Sequence, residues 1–126
     1  MATRKKQIRN AFRRSVFARD RFKCCRCGKA GRDRQGGDEH LAVHQDNEGR
    51  DLVTLDAHHI RDRTLMPNGG YVKENGITVC DECHLKAEQW WVNNYENGPD
   101  GFSPSDLYEA IGSSQDAAEA ASERLA

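Results

Sequence analysis

Asn75-Gly76-Ile77-Thr78-Val79-Cys80-Asp81-Glu82-Cys83-His84 is the stretch whose reading decides the fold. Ile77-Thr78-Val79 is a β-branched run that predicts a short strand leading into Cys80. Cys80-x-x-Cys83 spaces two thiols so that both sulfurs can reach one tetrahedral ion. From Asp81 to about Tyr95 the pattern is helical. Cys83, Ala87, Trp90, Trp91 and Tyr95 recur on one side, and Asn97-Gly98-Pro99 ends the run. Strand, knuckle and helix therefore follow one another directly, with a histidine at the start of the helix.

Working outward, a second knuckle stands upstream at Cys24-x-x-Cys27. The two pairs together offer four thiolates, the ligand set of a structural Zn²⁺ site. The 52 residues between them, 28 to 79, exceed the roughly 15–20 of a simple zinc ribbon. A domain has been built between the knuckles. The chain has 126 residues, of which 31% are charged, so its core is thin and a metal clamp is expected. The basic start Met1-Ala2-Thr3-Arg4-Lys5-Lys6 is not followed by an apolar run, and no window approaches the roughly 18 apolar residues of a membrane span. The expected setting is reducing and cytoplasmic, with no membrane partner, and there such cysteines read as metal ligands. A redox-active C-x-x-C is disfavoured because no thioredoxin-like βαβ pattern surrounds either pair. Cys25 has poorer ligand spacing and reads as a free thiol or a small buried hydrophobe.

A strand is predicted over residues 51–57, running into His58-His59-Ile60. Consecutive strand residues face opposite ways, so only one of the two histidines can meet His84. A metal held by that one and His84 leaves open positions, and the other histidine is free to act as a base near neutral pH. Asp56 shares a strand face with His58, where it could offer an oxygen, although a solvent-facing strand aspartate is the preferred reading. His40 and His44 stand four apart in a short possible helix over Glu39–Gln45, without a third ligand, and read as part of a solvated insertion. Trp90 and Trp91 could stack on bases, but at least one of them reads better as core.

Charge is divided unevenly. Residues 1–34 carry 13 Lys/Arg against 2 Asp/Glu, and the remainder 6 against 18. A basic segment on a near-neutral chain is an electrostatic footprint for nucleic acid, with Arg9, Arg13 and Arg14 as phosphate contacts. Arg61 and Arg63 either grip neighbouring phosphates or are ordinary loop charge. The expected organisation is a disordered arm over 1–9, a central domain over 10–97 and a C-terminal extension over 98–126. Within it, a helix covers 10–20 on a stripe of Phe12, Val16 and Phe17. A polar connection covers 30–50 and a loop 61–76. Ser103-Pro104-Ser105-Asp106 signals a last helix, stopped by Gly112, and the Ala- and Glu-rich residues 114–126 read as a frayed tail.

Arg14-Ser15-Val16-Phe17-Ala18-Arg19-Asp20, Cys24-x-x-Cys27-Gly28-Lys29, Ala57-His58-His59-Ile60 and Asn75 through His84 together resemble an HNH (His-Asn-His) endonuclease of the zinc-knuckled phage and bacterial type. The resemblance covers residues 10–95, and Gly101-Phe102-Ser103-Pro104 onward is similar to the C-terminal extensions of phage-type members. It implies a small α+β fold. Its core would be a ββα-metal (His-Me finger) motif with a structural four-Cys zinc site and flanking helices. It also implies roles: His59 as general base, His58 and His84 as ligands of the catalytic ion, and Asn75 as the residue that pins the loop and orients His59. Two imidazoles would suit Mn²⁺, Ni²⁺ or Zn²⁺ as well as Mg²⁺, which keeps several waters. The implied partner is DNA, with phage DNA-packaging proteins a further one, in a bacterial host cell if the chain is phage-encoded. The alternative is a non-catalytic zinc-ribbon DNA-binding or adaptor module. Such a module has no need of a second histidine beside a ligand.

Overall fold

Strand pairing around His58-His59 organises the computed structural model, which describes residues 3–33 and 53–125. In chain order its elements are α1 (Arg4–Arg19), β1 (Gly31–Asp33), β2 (Val53–His59), β3 (Gly76–Cys80), α2 (Asp81–Val92), α3 (Pro104–Ala110) and α4 (Gln115–Glu123). The fold is small α+β, with a three-stranded sheet ordered β1-β2-β3. β2 and β3 are antiparallel, with Leu55 opposite Cys80, His58 opposite Ile77 and His59 opposite Gly76. β3 is buried along its whole length, and both α1 and α2 pack against it. Three short 3₁₀ turns between Arg63 and Asn75 make up most of the loop that joins β2 to β3.

α1 begins well before residue 10. Thr3 caps it by accepting a hydrogen bond from the Lys6 amide at 3.2 Å, and Arg, Lys and Gln are good helix formers. Residues 4–9 are therefore helix, which corrects the expected disordered arm. Phe12, Val16 and Phe17 form its buried stripe. Gly76 lets that stripe lie directly on β3. A Cβ there would stand 2.5 Å from Val16 Cγ2 and 2.7 Å from Phe12 Cζ, closer than any side chain tolerates.

An ion pair at the end of α1 closes the outer edge of β3. Arg19 donates from Nε and a terminal nitrogen to the Asp20 carboxylate, both at 2.8 Å, and also to the Gly76 carbonyl at 2.6 Å. Asp20 in turn accepts from the Thr78 amide at 2.9 Å, and the Cys25 amide donates to the Thr78 carbonyl. Covering a strand edge this way leaves no free backbone template. Burial works against the Asp20 charge, yet Arg19 and the Thr78 amide outweigh it and hold the carboxyl below its ordinary range. Asp20→Ala strands the Thr78 amide and Arg19 together. A loss of about 2–3 kcal/mol is expected in urea unfolding at pH 7; no loss would mean the edge is held by other contacts.

Three further expectations change. β1 was not foreseen, because Gly31-Arg32-Asp33 has no apolar alternation; it pairs parallel to β2. The tryptophans are not core: Trp91 is 41% exposed, and Trp90 is half-buried, donating from Nε1 to the Pro99 carbonyl at 2.8 Å. The buried stripe of α2 is Cys83 and Ala87 alone, since the helix ends at Val92 and the chain turns away through left-handed Asn94 and Tyr95. The C-terminal segment is not frayed. Ser103 and Asp106 form the capping box of α3, and α4 buries Ala118, Ala121 and Ser122. Leu107, Tyr108 and Ala118 share one core with Phe17, Leu55 and Ile77, so no break in packing follows residue 97.

The expected helical piece at Glu39–Gln45, with His40 and His44, lies outside the described residues. No helix among the described residues is long and apolar enough to cross a membrane.

Candidate metal centre and histidine site

The two knuckles meet. Cys24, Cys27, Cys80 and Cys83 place their sulfurs within 4.8 Å of one another, and no second group of three or more metal-binding side chains does so among the described residues. The Cys27 and Cys80 sulfurs are 3.6 Å apart. A tetrahedral ion with metal–sulfur bonds of ~2.3 Å has an edge of about 3.8 Å, whereas a disulfide would need about 2.05 Å. The group thus fits a metal ion such as zinc. Local chain geometry produces it. The Gly28 amide returns to the Cys24 carbonyl at 2.8 Å, with Gly28 in the left-handed region (φ +79°) where glycine carries no penalty. Cys80 ends β3 and caps α2, which places Cys83 in the first turn. Burial opposes ionisation of Cys24, but the amides of Cys27, Cys80 and Arg26 outweigh it and bring the thiol down to about 7, whereas burial and the neighbouring sulfurs push Cys27 and Cys83 up. Cys25 stands outside the group. Burial and then the Asp20 charge push it up to about 12, and it packs partly buried against the core.

The histidines divide between the two faces of β2. His58 meets His84 across 5.1 Å between ring centroids, edge to face. His59 points the other way, stacked on Phe12 at 4.5 Å and edge-on to Tyr71 at 4.8 Å. Asp56 shares the His58 face and is not solvent-facing. Its Oδ2 lies 3.4 Å from His84 Nδ1, and its side chain is only 16% exposed. Glu88 is the residue the sequence reading missed. Its Oε1 lies 3.2 Å from His84 Nε2, and its signal was the four-residue spacing from His84 on one helix. Burial, then the neighbouring His84, pulls His58 down to about 3, so its ring is neutral. Burial also pulls His59 down, to about 4, although Asp62 opposes the shift. The Nε2 of His59 is enclosed and has no hydrogen-bond partner among the described residues.

Two cavities meet at His59. One, of about 280 Å³, is lined by His58, His59, Asp62, His84, Glu88 and Trp91. The other, of about 420 Å³, is a groove lined by Arg9, Phe12, Arg13, His59, Arg63 and Tyr71. A pocket of imidazoles and carboxylates and a groove with three guanidiniums thus share Ala57, His59 and Asp62 as their common wall. Of the five arginines singled out, three reach the groove. Arg13 is also paired with Asp33 at 3.4 Å, and Arg63 donates to the Tyr71 hydroxyl at 3.5 Å. Arg61 turns instead toward Gln115 and the Tyr95 ring, and Arg14 is exposed elsewhere on α1.

Asn75 is fully buried and fully bonded. Its Nδ2 donates to the carbonyls of Arg61 (3.1 Å) and Gly70 (3.3 Å). Its Oδ1 accepts from the Arg61 amide (3.2 Å) and from the Tyr108 hydroxyl (2.7 Å). Its carbonyl accepts from the Ile60 amide. The chain leaving His59 is thereby tied at residues 60 and 61 to one side chain and its own backbone.

Comparison with protein-family models, with curated proteins and with solved structures finds no match to this chain.

Proposed function

We propose that this chain is a metal-dependent endonuclease of the HNH type that hydrolyses DNA phosphodiester bonds, with β2, β3 and α2 as a ββα-metal core. The observation that carries the reading is the place of His59: a neutral imidazole with an unpartnered nitrogen, between an acid-and-imidazole pocket and an arginine groove. A histidine that served only packing would not need both.

His58 and His84 would hold a divalent cation such as Mg²⁺, Mn²⁺ or Ni²⁺, with Asp56 and Glu88 as nearby oxygens. Their chemistry fits, since His58 is neutral and two carboxylates flank His84. When bound, such an ion supplies Lewis-acid neutralisation of phosphate charge. The residues of the chain do the rest. His59 takes a proton from water, and the water oxygen forms the new bond to phosphorus as the bond to the 3′-oxygen breaks. The 3′-oxygen leaves and takes a proton from solvent, so the products are a 5′-phosphate and a 3′-hydroxyl. Phe12 and Tyr71 fix the plane of the His59 ring, and Asn75 fixes the backbone that carries it. Arg9, Arg13 and Arg63 hold backbone phosphates, which makes affinity salt-dependent and weakly sequence-dependent. Zinc in the four-cysteine group clamps the ends of the domain.

Supercoiled plasmid incubated with Mg²⁺, Mn²⁺ or Ni²⁺ is expected to give nicked circles and then linear DNA. Binding of the plasmid without cutting under every metal would leave the zinc-ribbon adaptor in place of the nuclease.

A further inference from the structure

The C-terminal helices grip the loop between β2 and β3 at several points. The Ser113 hydroxyl donates to the Glu74 carbonyl at 2.9 Å. Ser122, fully buried on α4, donates to the Pro67 carbonyl and accepts from the Gly70 amide at 3.0 Å. Asn68 donates to the Ser122 carbonyl at 3.1 Å. At the centre, the Tyr108 hydroxyl donates to Asn75 Oδ1 at 2.7 Å, with both side chains buried. Burial pushes the Tyr108 phenol well above its ordinary range, so it stays a neutral donor at any working pH. Gly70 is itself a partner of Asn75. Tyr108 and Ser122 therefore hold Asn75 from two sides.

We infer that Tyr108 is a positioning residue for the histidine site, acting through Asn75 on the segment that carries His59. The inference rests on the nuclease reading for its kinetic consequence, but the link itself is a statement about three side chains. Without the Tyr108 proton, Asn75 Oδ1 keeps only the Arg61 amide, and the amide group can rotate away from the geometry that fixes residues 60 and 61. The ring of His59 then samples more orientations. In a reaction that depends on one nitrogen facing one water, that loss appears in turnover, not in DNA binding.

Tyr108→Phe removes one oxygen and keeps the packing. In plasmid cutting by the zinc-loaded protein, kcat is expected to fall about tenfold with KM unchanged. In an Asn75→Ala background the same substitution is expected to change nothing more, because both act through one bond. Unchanged kcat in Tyr108→Phe would overturn the inference, as would losses that simply add in the double variant. If the wild-type protein cuts no DNA, the nuclease reading falls by itself. The link is then read from the imidazole NMR signals of His59, which Tyr108→Phe is expected to shift and which, unmoved, would overturn it.

Discussion

His59→Ala is expected to reduce plasmid cutting by about 10²–10⁴-fold, the usual contribution of a positioned general base. The cause is local. His58 and His84 lie on the other face of β2 and are untouched, so divalent-ion binding and DNA binding should persist in the variant. The four cysteines are likewise distant in role, so zinc content should be that of the wild type. Equal cutting by the variant would exclude His59 as the base. The acid–base balance of the ring adds a second readout. Burial brings His59 down to about 4, and a base with a lowered value is already deprotonated at every higher pH. The wild-type pH–rate profile should therefore lack the inflection near 6.5 that an ordinary histidine base gives.

Loss of the metal from the cysteine group should be more drastic still. Structural Zn²⁺ contributes an apparent ~10–16 kcal/mol in small domains, against a total stability of about 5–15 kcal/mol. Chelation, or Cys80→Ser, is expected to abolish cooperative folding at 37 °C. Cys80 is especially exacting. It ends β3, pairs with Leu55 across the sheet and caps the helix that carries Cys83 and His84. Elemental analysis should find about one zinc per chain. The measurement that decides is far-UV circular dichroism before and after chelation; a native spectrum in the metal-free protein would rule out the clamp.

How much of this was legible in the sequence depended on how local each signal was. The knuckles, β3 and the start of α2 are written in adjacent residues, and thiol spacing leaves little freedom. The opposite facing of His58 and His59 follows from strand geometry alone. What needed the fold was everything set by packing between distant segments. Asp56 looked like a surface aspartate because nothing near it in sequence shows that His84 arrives beside it. α4 looked frayed because its buried stripe is only alanine and serine, yet these small side chains are what permits close approach to the turns at 67–75. Residues 4–9 looked disordered from their charge, although a threonine cap and good helix formers were present. β1 was illegible because a polar, three-residue strand is defined by its partner.

The bond from Tyr108 to Asn75 also has a meaning in time. Translation delivers both knuckles and all of His58, His59 and His84 before it delivers Tyr108 and Ser122. A polypeptide halted or clipped between these points would carry all four cysteines and these three histidines, yet lack the brace at Asn75. Because Leu107, Tyr108 and Ala118 also belong to the common core, such a fragment would lose part of its packing together with that brace. On the nuclease reading, the histidine site is complete only once residues 104–123 have been synthesised and docked.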